Sequence, residues 1–355
     1  MNGDGMQQQV ITSRNYPRPL PLFLDLVREI AIDDPVLAAR AMAGLKRYQE
    51  TPRAKPERPQ QIAAEIGRVR LIDYGGDGAP VVFIPSLINP HIVLDLTPTN
   101  SLIRHIQSAG FRPFLVDWGQ PGREHAGENL DDHITRYLAP LIESVAAQHG
   151  APHLVGYCLG GTIALAAAHL APAASLSLIA APWHFDHYGD DKAMLAGLWT
   201  DNQEACAALG LVPVEVLQIA FWRMDPSRTV KKYARLADAD EATLAQFVAL
   251  EDWANEGAPL TYGAGKALFE QMFADNLSGA GNWIINGRTI LPETLPCPSR
   301  QFVSTTDRIV PLASCPDAIE QVPSAAGHVG MVVGSSALTT LWEPMAKWLS
   351  QVQHS

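Results

Sequence analysis

The sequence predicts an α/β fold, with a mostly parallel central sheet flanked by helices and a helical cap inserted late in the chain. Three observations predict it. Short β-rich runs alternate with helical stretches from about residue 69 to 179, and again from 298 onward. A strand, a tight turn and a helix are compressed into one stretch: the apolar run His153-Leu154-Val155 enters Gly156-Tyr157-Cys158-Leu159-Gly160, and the Ala-rich run from Thr162 to Leu170 leaves it. Between the two alternating regions, residues 183–295 turn mostly helical and aromatic-rich, holding Trp183, Trp199, Trp222, Trp253 and Trp283. Those aromatics read first as the core of a cap and second as the wall of an acyl channel.

Composition bounds the function. At 355 residues the chain exceeds the usual compact domain but fits one α/β enzyme with insertions. A net charge of -11 argues against a nucleic-acid partner, which needs a basic face. The one basic cluster, Arg228-Thr229-Val230-Lys231-Lys232, reads as a solvated helix face or else as an anion site for the phosphates of a charged cofactor. Cys158, Cys206, Cys297 and Cys315 contain no Cys-x-x-Cys pair, so neither a disulfide framework nor a zinc site is expected, and a reducing cytoplasm fits. The first residues lack a basic region followed by an apolar core, so export is not expected, and no apolar run approaches ~18 residues, so neither is a membrane span. Gly75-Gly76-Asp77-Gly78 lacks the Gly-x-Gly-x-x-Gly spacing before a helix and reads as a turn, so no nicotinamide, flavin or metal is expected.

In chain order, residues 1–60 form a loose Pro-rich arm, a helical pair and a linker. Phe23, Leu26, Val27 and Ile30 fall at helical spacing, and Asp34-Pro35 reads as an N-cap and first-turn proline of a second helix reaching Arg47. The pair reads as packing on the main domain, or as an apolar stripe for a partner helix or granule surface. Residues 61–182 form the first part of the α/β core. It has strands at Val69–Ile72, Val81–Ile84, Pro113–Asp117 and Leu176–Ile179, and helices near Asn100–Ser108 and Asp131–Gln148, the latter with Ile134, Leu138, Leu141, Ile142 and Val145 on one face. The cap spans 183–295. The second part of the core, 296–355, holds a strand at Pro298–Ser304, the short run Ile319–Val322 and a closing helix with Trp342 and Trp348.

The chemistry is read from Gly156-Tyr157-Cys158-Leu159-Gly160, a Gly-x-Ser-x-Gly nucleophile elbow with Cys at its centre. The following helix aims its positive end at the thiol, which favours the thiolate, and the Leu159 N–H is placed to meet a developing oxyanion. The loop after the third strand of an α/β-hydrolase supplies the second such donor, here Leu87 or Ile88, with Ile88 preferred. That fold also needs an acid after a late strand and a His after the last. Asp307 and His328 occur there, in the order Cys158, Asp307, His328. His328 would take the Cys158 proton while Asp307 holds the imidazole. Asp117, Asp186 and Asp190 are the rival acids. A Cys nucleophile suits transfer: an acyl-Cys thioester keeps the activation of an acyl-CoA and can pass its acyl group to an alcohol, where a Ser ester would have lost it.

These residues resemble the polyhydroxyalkanoate synthases of the α/β-hydrolase superfamily. The likeness rests on Gly156-Tyr157-Cys158-Leu159-Gly160-Gly161-Thr162, Leu87-Ile88-Asn89 with Ile92-Val93-Leu94-Asp95-Leu96, Leu115-Val116-Asp117-Trp118-Gly119, Asp307-Arg308-Ile309-Val310-Pro311 and Gly327-His328-Val329. The chain's short length and Leu250-Glu251-Asp252-Trp253 look most like the class III catalytic subunits that work with a companion protein. The resemblance implies a 3-hydroxyacyl-CoA substrate such as 3-hydroxybutyryl-CoA and a growing polyester chain or granule surface as product. It also implies a companion synthase subunit or homo-oligomer, a cytoplasmic or granule-associated location, and a His328 that activates the attacking hydroxyl as well. Arg308 stands where synthases commonly carry His, and Val332-Val333-Gly334-Ser335 where their His loop often continues into Asn-Pro-Pro. Two other functions compete with the acyltransferase: a hydrolase using the same Cys triad, as thioesterase, polyester depolymerase or dienelactone-type enzyme, and a non-catalytic companion of a synthase or granule.

Overall fold

The computed structural model describes residues 16–53, 61–224 and 226–353. Most of the expected N-terminal arm and of the Thr51–Gln61 linker lies outside them. The chain divides into two compact units: Met1–Arg53 with Pro226–Asn255, and Ala54–Asp225 with Glu256–Ser355.

In the first unit the expected helical pair forms as α1 (Leu20–Asp33) and α2 (Pro35–Glu50). Asp34 caps α2, its carboxylate accepting the Leu37 N–H at 2.9 Å, and Pro35 supplies the pre-set φ of the first turn. The pair is covered by Pro226–Ala234 and Glu241–Asn255, a stretch that the sequence groups with the cap. Contact with the first of these helices is close: a Cβ on Gly44 would lie 1.8 Å from the Tyr233 carbonyl oxygen, so only glycine fits. Around that crossing the Tyr233 ring meets Phe23 at 4.9 Å and Tyr48 at 5.8 Å. Glu251 accepts from Lys232 at 2.7 Å and from the Tyr233 hydroxyl at 2.8 Å, while Asp252 accepts from the Tyr48 hydroxyl at 2.5 Å and Arg53 Nε at 3.0 Å. The Leu250–Trp253 motif thus satisfies polar groups that the apolar packing would otherwise strand.

The second unit is built on eight strands. They are β1 (Ile62–Ile66), β2 (Val69–Asp73), β3 (Pro80–Ile84), β4 (Arg112–Asp117), β5 (His153–Tyr157), β6 (Ser175–Ile179), β7 (Ser299–Ser304) and β8 (Gln321–Ser324). Their spatial order is β1-β2-β4-β3-β5-β6-β7-β8. β1 and β2 form an antiparallel hairpin and β2 runs antiparallel to β4; every later pairing is parallel. This is the mostly parallel sheet that the alternation predicts. The central strands β3, β5 and β6 are buried along their whole length, and β3 accordingly reads as an unbroken apolar run with no alternation.

Helices α3 (Leu102–Ser108), α4 (Ala139–His149) and α5 (Leu159–Ala168) cross between these strands. The helix expected over 131–148 begins at Leu130 and passes through a π-helical segment, His133–Leu138, before α4. Between β6 and β7 the unit adds the helices Asp190–Leu209 and Val214–Met224. Trp183 and Trp283 pack at 5.9 Å, each 1% exposed, and Trp199 stacks on Phe269 at 5.0 Å. Among the described residues no helix is long and apolar enough to cross a membrane.

Candidate active site

β5 ends at Tyr157 and α5 begins at Leu159, leaving Cys158 alone to reverse the chain at φ 56°, ψ -132°. A non-glycine residue adopts that conformation only when its surroundings impose it. Here they do. The Cys158 N–H is bonded to the Ile179 carbonyl of β6 at 2.9 Å, and its own carbonyl accepts the Gly161 N–H at 2.7 Å. The glycines on either side permit the crossing: a Cβ on Gly156 would lie 2.5 Å from Gly161 Cα, and one on Gly160 would lie 2.3 Å from the Ile84 carbonyl oxygen. The ten-residue helix α5, every residue buried, directs its N-terminus at the Cys158 thiol.

Asp307 follows β7 and His328 follows β8, and the two parallel strands bring their loops together. Ser304 Oγ donates to the Ala326 carbonyl at 2.5 Å, the Thr305 N–H to the Ser324 carbonyl at 2.8 Å and Thr306 Oγ1 to the Ala325 carbonyl at 2.8 Å. One Asp307 oxygen accepts the N–H groups of Ile309 and Val310 at 2.8 and 3.1 Å; the other meets His328 Nδ1 at 2.6 Å. Nε2 is thereby left for Cys158, whose side chain interacts with the imidazole both by charge and as a hydrogen-bond partner. Burial alone would drive the His328 proton off. The Asp307 carboxylate and Cys158 outweigh it and raise the imidazole to about 10.

Two of the rival acids, Asp117 and Asp186, are committed elsewhere. Asp117 bonds Arg70 at 2.5 Å, the Gly119 N–H at 3.0 Å and His91 at 3.3 Å. Burial works against its charge, but these partners hold the carboxyl well below the usual range. Asp186 pairs with Lys192 and accepts from Asn276 at 2.8 Å. In the basic cluster, Lys232 is spent on Glu251.

Cys158, Leu159 and Ile88 share one cavity of about 550 Å³. Its walls are almost wholly apolar: Phe185, Leu195, Leu217, Phe269 and Phe273 come from the segment between β6 and β7, and Ile309 and Val310 from the Asp307 loop. The Ile88 N–H points back to Ser86 Oγ at 3.2 Å, a bond that local spacing does not announce. Two aromatic neighbours also escaped the sequence reading. Tyr188 lines the cavity, and Tyr157 stacks on His328, with ring centroids 5.2 Å apart and planes at 28°. Tyr157's adjacency to the elbow Cys was the one available signal. Among the described residues no group of three or more His, Cys, Asp or Glu could hold a metal.

The model of the α/β-hydrolase fold family matches residues 79–334. Among curated proteins, the chain is 28% identical over 359 residues to a poly(3-hydroxyalkanoate) polymerase subunit, PhaC, of Haloferax mediterranei, an alignment covering 94% of this chain and 72% of that protein. It is 24% identical over 289 residues to the PhaC subunit of Allochromatium vinosum, covering 77% and 81%. Among solved structures, BpoC of Mycobacterium tuberculosis H37Rv superposes at a TM-score of 0.50 and 19% identity over 81% of this chain and 97% of its own, a likeness of fold.

Proposed function

Because the chain belongs to the α/β-hydrolase fold family and, within it, is a relative of the polyhydroxyalkanoate synthases, we propose that it is an acyltransferase of that kind, polymerising 3-hydroxyacyl units from CoA thioesters on Cys158. The observation that carries the reading is the Cys158–His328–Asp307 constellation at an apolar cavity that has no other strong nucleophile in its wall.

In this mechanism His328 Nε2 takes the Cys158 proton, and the thiolate attacks the thioester carbonyl of a 3-hydroxyacyl-CoA. The new C–S bond replaces the bond to CoA, and CoA leaves as a thiol with the proton that His328 returns. The Leu159 N–H and the Ile88 N–H, once turned from Ser86, stabilise the oxyanion. His328 then takes the proton of a second 3-hydroxyl. That oxygen attacks the Cys158 thioester, the ester forms, and the thiol is restored. The two thioesters are close in energy, so the first step stores the activation that the second spends. Apolar walls favour the alcohol over water as acceptor. Work with a companion subunit, at a polyester granule, belongs to the same reading.

The test is incubation of the purified protein with 3-hydroxybutyryl-CoA, following free CoA and the acyl group together, with C158A as control. CoA release with growing oligomer, abolished in C158A, is expected. Release of free 3-hydroxybutyrate alone would make the protein a thioesterase, and undiminished release by C158A would remove Cys158 from the chemistry.

A further inference from the structure

Asp307 holds His328 at Nδ1, 2.6 Å away, and Cys158 interacts with the imidazole, but a bond in the plane of a ring leaves the ring free to rock about it. One face is covered. Tyr157, the last residue of β5 and 3% exposed, lays its ring along the imidazole at 5.2 Å and 28°, within the range of offset-stacked aromatic pairs. The Tyr157 hydroxyl is buried with no hydrogen-bond partner, so the hydroxyl does not account for the ring's placement. The polar contact the structure gives the ring's face is the imidazole.

We propose that Tyr157 is a positioning residue for His328, its ring fixing the plane of the imidazole between Asp307 and Cys158 and its electron-rich face favouring the imidazolium formed when Cys158 gives up its proton. The proposal rests on the Cys158–His328–Asp307 reading above. The charged and titratable groups around the imidazole are few. Asp307 and Cys158 meet it directly, the buried phenols of Tyr157 and Tyr188 face Cys158 and Asp307, and the Cys315 thiol faces Asp307. Burial keeps both phenols and the Cys315 thiol neutral well past the ordinary range, so the charge that balances the imidazolium comes from Asp307 and Cys158. The aromatic face adds to that balance as a cation–π contact, stronger for being dry.

The experiment is the pH profile of Cys158 alkylation by iodoacetamide, mapped by mass spectrometry in the full chain, for wild type, Y157F, Y157L, H328Q and Y157L/H328Q. Y157M, closer in volume, replaces Y157L if the latter fails a thermal-melt check of folding. In the wild type the reactive form should persist to lower pH than in H328Q. Y157F keeps the ring and should keep that profile, with a higher melting temperature for losing the stranded hydroxyl. Y157L should move the acidic limb to higher pH and slow alkylation at neutral pH about five- to tenfold, with no such loss in the H328Q background. An unshifted Y157L profile, or an equal loss with and without His328, would overturn the role of Tyr157. Identical profiles for wild type and H328Q would instead overturn the coupling of Cys158 to His328, and with it the reading beneath.

Discussion

Cys158 is held at φ 56°, a conformation that costs on the order of 1–3 kcal/mol for a residue with a side chain. The elbow's hydrogen bonds and the buried helix α5 sustain it, and the return is a thiol aimed at His328. Asp307 matters at this scale for what its two oxygens do separately: one is tied to backbone N–H groups and the other to His328 Nδ1. D307N keeps the shape but offers the imidazole the wrong partner. CoA release from 3-hydroxybutyryl-CoA should fall roughly 10³- to 10⁴-fold with little change in KM. A fall of less than about tenfold would show that another group orients His328. That Cys158, Asp307 and His328 come together was legible because an elbow has a fixed glycine spacing and chain order separates the acid from its rivals. The Tyr157 stack and the Ile88-to-Ser86 bond were not, because each depends on side-chain or backbone direction at a loop that spacing does not encode.

Among the elements, the elbow tolerates little change. In G160A the new methyl meets the backbone carbonyls of Ile84 and Pro85, at 2.3 and 2.4 Å, which cannot step aside. Overpacking of this kind should lower stability by about 1–3 kcal/mol or more, read as a fall in the urea midpoint, together with loss of CoA release. A wild-type midpoint would mean that β3 and the elbow are not packed this tightly. Among the strands, the sequence announces the buried β3 well, as a short apolar run bounded by turn residues. β1 passed unannounced because Ile62-Ala63-Ala64-Glu65-Ile66 is an exposed edge strand with weak β-formers at its centre. The pairing of Pro226–Asn255 with α1 and α2 was equally silent: Tyr48 and Asp252 lie 204 residues apart, and helical periodicity shows that a face is apolar without naming what covers it.

For the whole molecule, buried histidines contribute to the acid limit, beside ion-paired carboxylates such as Asp117. His133 and His153 are 3% and 2% exposed, and burial depresses each to about 4. A depressed pKa means that the unfolded chain binds the proton first. The stability these groups contribute is therefore complete above about pH 6.5, where free histidine titrates, and is lost as pH falls through about 4. His328 acts in the opposite sense: raised to about 10, its contribution is complete below about 6.5 and is lost as pH rises through about 10. Thermal melts across pH should show the melting temperature falling on both sides of a neutral plateau, with H153Q flattening the acid side and H328Q the alkaline side. An unchanged acid slope in H153Q would mean that His153 is charged in the folded protein. In the proposed function all of this serves one event, the capture of an acyl group on Cys158 and its transfer to a hydroxyl. Rapid quenching of the protein with 3-hydroxybutyryl-CoA, followed by mass mapping of the Cys158 peptide, tests that most directly. The account predicts an adduct on Cys158 that grows by successive hydroxybutyryl units, whereas CoA release with Cys158 never acylated, or with one unit that only water removes, would contradict it.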